Sequence, residues 1–286
     1  MHQVLLFYKY VTVDDAAALA ATFRSLAEKY HLLGRVIVAE EGVNATLEGL
    51  TADTESFAAD FLADPRFADI DIKKSAGTGD AFPRLSIKVR KEIVGTRFDP
   101  AEVDPRVRTA PRLSAAELHD WYESQQDFVV VDMRNDFEFR SGHFRDSVNP
   151  GLRASRDLPE AMPMLEPLKD KTVVTVCTGG VRCEKMSAYL LSKGFKDVYQ
   201  LENGIHTYME EYPGKDFRGT LYTFDNRLVM DFGGEREIVG ACRLCNATTE
   251  TYVNCANLSC HLHFLVCDAC NAHEGVFCSE SCKGTS

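Results

Sequence analysis

No stretch of this 286-residue chain approaches the roughly 20 consecutive apolar residues that cross a bilayer. The opening Met-His-Gln-Val-Leu-Leu-Phe-Tyr-Lys-Tyr lacks the basic region and small-residue cleavage site of a secretory signal, so a cytoplasmic location without membrane attachment is expected. Positive charge is scarce overall. The 32 Lys and Arg against 43 Asp and Glu leave −11, which on its own speaks against a polyanionic partner. No Gly-x-Gly-x-x-Gly follows the first strands, so no flavin or nicotinamide site is evident, and no two-histidine, one-carboxylate set marks an iron site. Cysteine is not scarce. Ten cysteines without an export pattern are poor disulfide candidates, and eight of them fall between residues 242 and 282, which points to metal.

The second concentration of chemistry is Val173-Val-Thr-Val-Cys-Thr-Gly-Gly-Val-Arg-Cys-Glu-Lys-Met-Ser187. The β-branched run ending at Val176 predicts a buried strand, and the leucine spacing from Arg182 to Ser192 predicts a helix, with Cys177 at the turn between them. Free amides and the positive end of a helix stabilise a thiolate at such a turn, lowering a cysteine pKa from roughly 8.5 into a range of about 3.5 to 7.5. Gly179 and Gly180 let the loop formed with Thr178 and Val181 turn its amides on the sulfur, and Arg182 adds a permanent charge. A buried structural cysteine is the plain alternative. The Cys-x-x-x-x-Arg spacing after a strand favours instead a reactive, ionised sulfur, open to a large substrate. Cys183 is expected to point away from this cradle and pack inside the helix, with a resolving thiol as the other reading. The loop resembles the active-site loop of a rhodanese domain, in which the cysteine carries a persulfide. Its six residues from Cys177 to Arg182 are one fewer than in the related dual-specificity phosphatases.

Around this loop the chain predicts a multidomain α/β protein. Residues 1–94 read strand, helix, two strands, helix, strand, the split βαβ arrangement of a ferredoxin-like, acylphosphatase-like α+β domain. Asp71-Ile-Lys-Lys and Leu85 to Arg90 together supply its last strand. Tyr8 and Tyr10 share one face of the first strand and are read as core or solvent-facing rather than base-stacking, and Glu40-Glu-Gly-Val-Asn44 as a hairpin turn. Residues 95–112, with three prolines, read as a linker. Residues 113–215 alternate strands and helices, which implies an open parallel sheet with its site at the strands' carboxyl ends. There Asp132 and Arg134 end a strand and, with His143, are possible supports of the cleft. An ion pair and a backbone-bonded histidine are the simpler readings. Residues 216–240 read as a hairpin extension turning at Asp225-Asn226, and 241–286 as a cysteine-rich tail.

The tail holds Cys242-x-x-Cys245, Cys255-x4-Cys260, Cys267-x-x-Cys270 and Cys278-x3-Cys282, four pairs that suffice for two tetrahedral thiolate sites. Structural zinc is the expected metal, because so few aliphatic residues cannot bury a core of their own. An interleaved scheme is favoured, with Cys242, Cys245, Cys267 and Cys270 on one ion, and His261, His263 and His273 stand as substitutes for a cysteine. Residues 84–112 carry eight basic against four acidic side chains, +4 locally. Arg84, Lys88, Arg90, Lys91 and Arg97 are thus candidate phosphate contacts, although a solvated face explains them as well.

The split βαβ region with Glu-Gly-Val-Asn, the loop Cys-Thr-Gly-Gly-Val-Arg-Cys-Glu-Lys, the Phe-Asp-Asn-Arg hairpin and the eight-cysteine tail together resemble the bacterial oxygen-dependent tRNA uridine hydroxylases. That resemblance implies conversion of a wobble uridine in the tRNA anticodon loop to 5-hydroxyuridine, O2 as co-substrate, and a small-molecule reductant or sulfur donor. It also implies Cys177 as the essential cysteine with Arg182 as its loop partner, and tRNA contact along the basic stretch. Two rival readings stand beside it: a sulfurtransferase passing a Cys177 persulfide to a small thiol or tRNA, and a non-catalytic RNA- or protein-binding module.

Overall fold

The computed structural model describes residues 1–230, 232–233, 237–272 and 275–284. Its amino-terminal body runs β1 (His2–Tyr10), α1 (Ala16–Lys29), β2 (Leu33–Ala39), β3 (Gly42–Leu50), α2 (Thr51–Leu62), β4 (Lys73–Gly77) and β5 (Leu85–Val89). Asp15 caps α1, its carboxylate accepting the Ala18 amide at 2.8 Å. The strands pair in the order β4-β1-β3-β2-β5, with β5 parallel to β2. The two segments read as one closing strand are therefore two, one at each edge. The first four strands complete the split βαβ unit, and the open β2 edge takes a fifth.

Alternation along these strands gives the sheet two unlike faces. One presents Phe7, Val36, Val38, Val43, Ala45 and Leu47 to the helices, where Phe23, Phe57, Phe61 and Phe67 complete an aromatic core. The other therefore carries Leu6, Tyr8, Arg35, Ile37, Asn44 and Thr46 in cross-strand rows, Tyr8 opposite Asn44 opposite Ile37 and Leu6 opposite Thr46 opposite Arg35. No helix of this body covers that face. The second body does.

The second body comprises β6 (Arg112–Leu113), α3 (Ala115–Glu123), β7 (Val129–Asp132), α4 (Asp136–Phe139), β8 (Gly142–Phe144), α5 (Leu158–Leu165), β9 (Thr172–Val176), α6 (Val181–Ser192), β10 (Asp197–Leu201) and α7 (Gly204–Glu211). Strands β6-β10-β9-β7 form a parallel sheet with an apolar cluster on each side. Ser114 and Glu117 close the capping box expected at the start of α3. Residues 95–112, read as a linker, lie along this body: Phe98 stacks on Tyr189 at 4.4 Å, and Val103 and Ala110 enter its core.

Strand β11 (Phe217–Gly219) pairs with β8, and β12 (Leu221–Tyr222) with β13 (Val229–Met230) across the expected Asp225-Asn226 turn. The tail adds the hairpin of β14 (Tyr252–Asn254) and β15 (His263–Leu265), then α8 (Asp268–Asn271) and α9 (Glu280–Lys283). No helix among the described residues is long and apolar enough to cross a membrane.

Candidate active site and cysteine centres

Strand β9 delivers Cys177 to the carboxyl edge of the parallel sheet, and Gly180, at φ 99°, turns the chain into α6. A left-handed backbone there suits glycine, and a Cβ would stand 2.7 Å from the Tyr8 hydroxyl. The amides of Ile205 and His206 donate to the Cys177 and Thr178 carbonyls at 2.9 and 3.0 Å. With those carbonyls bonded to α7, the loop amides turn inward, and Gly180 N–H donates to the Cys177 sulfur at 3.2 Å.

Burial pushes the Cys177 thiol up, but a hydrogen bond from Cys183, the Arg182 guanidinium and the amides of Cys183 and Arg182 outweigh it, holding it down at about 6. Cys183 thus faces Cys177, correcting the expectation that it points away. It lies in the first turn of α6, which starts directly over the sulfur, and its own thiol is pushed well up by burial and by the Cys177 thiolate.

Arg182 makes a bidentate pair with buried Glu138 at 2.6 and 2.8 Å and donates to the Thr178 hydroxyl at 3.1 Å. Its planar fork is thereby fixed beside the loop. Glu138, the third helical position after Asn135, also accepts the Asn135 amide at 3.0 Å. One layer below, Asp132 and Arg134 form a fully buried bidentate pair, and Arg134 donates to the Gly142 carbonyl at 2.6 Å. These two support the loop's platform and do not line the site. His143 bonds the Phe139 carbonyl through Nδ1 at 3.0 Å and stacks on the Phe139 ring, so it too is structural.

The uncovered sheet face of the amino-terminal body closes over this loop. Leu6 and Tyr8 sit against Gly179 and Gly180, Tyr8 donates to Glu184 at 3.3 Å, and Tyr10 to the Val181 carbonyl at 3.1 Å. The tyrosines read as core or solvent-facing are interface residues. Buried Lys185 bridges Glu41 and Glu92 at 2.8 and 2.9 Å, while Glu184 accepts from Arg112 at 2.7 Å and Gln200 at 3.1 Å. Glu184, Lys185 and Glu41 were not foreseen as site supports. Their signal was present: Glu184 and Lys185 follow Cys183 directly, and Glu41 sits at the β2–β3 turn.

This closure overturns one expectation. Cys177 has no exposed surface, so its sulfur is not open to a large substrate. Beside the covered loop lies a cavity of about 460 Å³ bounded by Leu6, Tyr8, Arg35, Asn44, Thr178, Gly179, Arg182 and Phe224. The amides aimed at the sulfur remain, and the cavity reaches the loop that carries it.

Comparison with known proteins places these parts. Residues 2–93 match the family described as UPF0176 acylphosphatase like domain, residues 114–211 the Rhodanese-like domain, and residues 218–283 the Rhodanase C-terminal domain. Proteins named tRNA uridine(34) hydroxylase from Staphylococcus aureus strain MRSA252 and Staphylococcus carnosus strain TM300 are 41% and 40% identical to it, over 98% of this chain and 89% of theirs. The chain belongs to the tRNA uridine(34) hydroxylase family. Among solved structures, a rhodanese-like domain protein from Staphylococcus aureus is 26% identical over 34% of this chain and 90% of its own, at a TM-score of 0.30. An acylphosphatase from Bacillus subtilis is 22% identical over 31% and 99%, at 0.26.

In this member of the tRNA uridine(34) hydroxylase family the tail cysteines gather as the interleaved scheme expects. The sulfurs of Cys242, Cys245, Cys267 and Cys270 lie within 4.8 Å of one another, and so do those of Cys255, Cys260, Cys278 and Cys282. Adjacent sulfurs stand 3.6 Å apart for Cys245 and Cys267, 3.5 Å for Cys255 and Cys282, and 3.7 Å for Cys260 and Cys278. Four thiolates about 2.3 Å from a tetrahedral ion would stand roughly 3.8 Å apart, so both sets fit a metal. Neither group includes a histidine: His263 stacks on Tyr252 and bonds Asn254, His261 is not among the gathered ligands, and His273 lies outside the described residues. The candidate tRNA contacts Arg84, Lys88, Arg90, Lys91 and Arg97 are all exposed, whereas Arg106 and Arg112 of the same stretch are held by Asp104 and Glu184.

Proposed function

We propose that this chain hydroxylates the wobble uridine of tRNA at C5, giving 5-hydroxyuridine, with O2 as oxygen source and Cys177 as the reacting sulfur. The observation that carries this reading is the depressed Cys177 thiol, ringed by loop amides beside a cavity, in a chain so similar to proteins of that name. Placing one atom of O2 on C5 leaves the other to depart as water, which consumes two electrons and two protons from a thiol-class reductant. A Cys177 thiolate adding to C6 of the base would make C5 an enolate carbon able to take oxygen, with loss of the thiolate at the end. Because Cys177 is fully buried, a persulfide, formed when the Cys177 thiolate takes the sulfane sulfur of a thiosulfate-class donor and sulfite departs, carries the reacting atom about 2.05 Å beyond Sγ and needs less opening of the sheet from the loop. In either form the loop amides and Arg182 stabilise the sulfur anion.

Two zinc ions, one per cysteine set, are the metals we assign to the tail. Each would supply no chemistry beyond tying the segment together. The exposed cations from Arg84 to Arg97 serve as contacts for anticodon-loop phosphates, and the reaction is placed in the cytoplasm.

The test is nucleoside analysis of tRNA incubated with the protein and a thiol under 18O2. Appearance of 18O-labelled 5-hydroxyuridine supports the reading, and its absence removes it. Sulfur gained in place of oxygen would indicate the sulfurtransferase, and a Cys177→Ser protein that still restores cellular function would indicate a binding module.

A further inference from the structure

The cavity beside the loop has two unlike walls, and their chemistry selects a ligand. From the sheet come Asn44 and Arg35, from the hairpin Phe224. Phe224 is a large aromatic with 46% of its surface exposed, and the Arg182 guanidinium sits 5.6 Å from its ring centre. An exposed ring at the mouth of a cavity is a stacking platform for a planar base. Arg35 is exposed, and no ion pair holds it among the described residues, so it is available to a phosphate. Asn44 is the third feature. Its Nδ2 donates to the Ile93 carbonyl at 3.3 Å, which fixes which end of the amide is nitrogen and leaves one N–H and the Oδ1 acceptor for a ligand.

We propose that this cavity holds the unstacked uracil base, with Asn44 reading its N3–O4 edge, Phe224 stacking on its face and Arg35 taking the adjoining phosphate. The inference rests on the hydroxylase reading and names the residues that decide its substrate. A fixed amide offers a donor beside an acceptor. Uracil answers with O4 and N3–H in that order, whereas cytosine presents a donor and an acceptor reversed. Position agrees. Asn44 pairs across the sheet with Tyr8, about 5 Å away, and Tyr8 touches Gly180, whose amide binds the Cys177 sulfur. A base held at O4 and N3 leaves C5 and C6 without a contact, so both stay free for the loop. The base enters unstacked, as enzymes acting on a base require.

The experiment compares anticodon stem-loops carrying uridine or 3-methyluridine at the wobble position, by binding and by kcat/KM, for the intact protein, Asn44→Ala and Phe224→Leu. The 3-methyl group removes the N3–H that Oδ1 accepts. The intact protein should lose about 10- to 100-fold in affinity for the methylated loop, Asn44→Ala should bind both loops equally weakly, and Phe224→Leu should raise KM while keeping the discrimination. If the intact protein binds both loops alike, or Asn44→Ala keeps the full ratio, the inference is overturned. The comparison on intact protein stands even if Asn44→Ala fails to fold. Failure of the intact protein to make 5-hydroxyuridine would instead count against the hydroxylase reading, since discrimination is read by binding.

Discussion

At Cys177 burial opposes ionisation, and the cradle prevails. The folded thiol sits at about 6, well below an ordinary thiol, so the thiolate is present above about pH 6 and is protonated as the pH falls through it. The same shift means that ionised Cys177 adds stability at high pH that is lost as the pH drops towards 6. The rate of 5-hydroxyuridine formation should therefore rise from pH 5 to 7, and a kcat profile flat across that interval would remove the thiolate from the mechanism. Cys177→Ser should lower kcat by at least about 10³-fold while leaving the melting temperature within a few degrees. Arg182→Met is a different case, because it strands the buried Glu138 carboxylate. A loss of about 3–5 kcal/mol in chemical denaturation is expected, with Glu138→Gln in the same chain recovering part of it.

Between elements, the contact that matters is the uncovered sheet face against the loop that opens α6. Lys185 clamps it by bridging Glu41 of the β2–β3 turn and Glu92 after β5. Lys185→Met leaves two carboxylates without their cation and should loosen the sheet from the loop. The expected result is alkylation of Cys177 at least about tenfold faster than in the intact protein, read by mass spectrometry. Unchanged labelling would show that the clamp does not control access. Tyr8→Phe keeps the ring over Gly180 but removes the bond to Glu184, and should raise labelling less than the Lys185 change does.

For the whole molecule, the tail is the part whose two cysteine sets could hold metal, and its folding is expected to depend on that metal. Elemental analysis should find two zinc ions per chain, one for each cysteine set, and a strong chelator should melt the β14–β15 hairpin region before the two sheet-bearing bodies. Charge acts at the same scale. Lys88→Glu and Arg90→Glu should weaken tRNA binding and flatten its dependence on salt, without touching the discrimination at the base.

Much of this was legible along the chain. Period-two alternation in β1 to β3, the capping box at Ser114, the β-branched run before Cys177 and the cysteine spacings each express a local rule, so they determined elements, the loop and the two cysteine sets without reference to neighbours. What local rules leave open is which surface meets which. The alternation of β1 sends Tyr8 away from Phe7 but does not say that a second body waits there. The charges of Glu41, Glu138, Glu184 and Lys185 likewise show no partner until distant segments meet, 44 residues apart in the chain for Glu138 and Arg182 and 176 for Tyr8 and Glu184. The sequence by itself therefore determined the six-residue cysteine loop and the strand and helix that flank it. Only tertiary structure decided that the sulfur is covered and that Asn44 and Phe224 share the cavity beside its loop, because burial and enclosure belong to the packing of bodies and to no single stretch of chain.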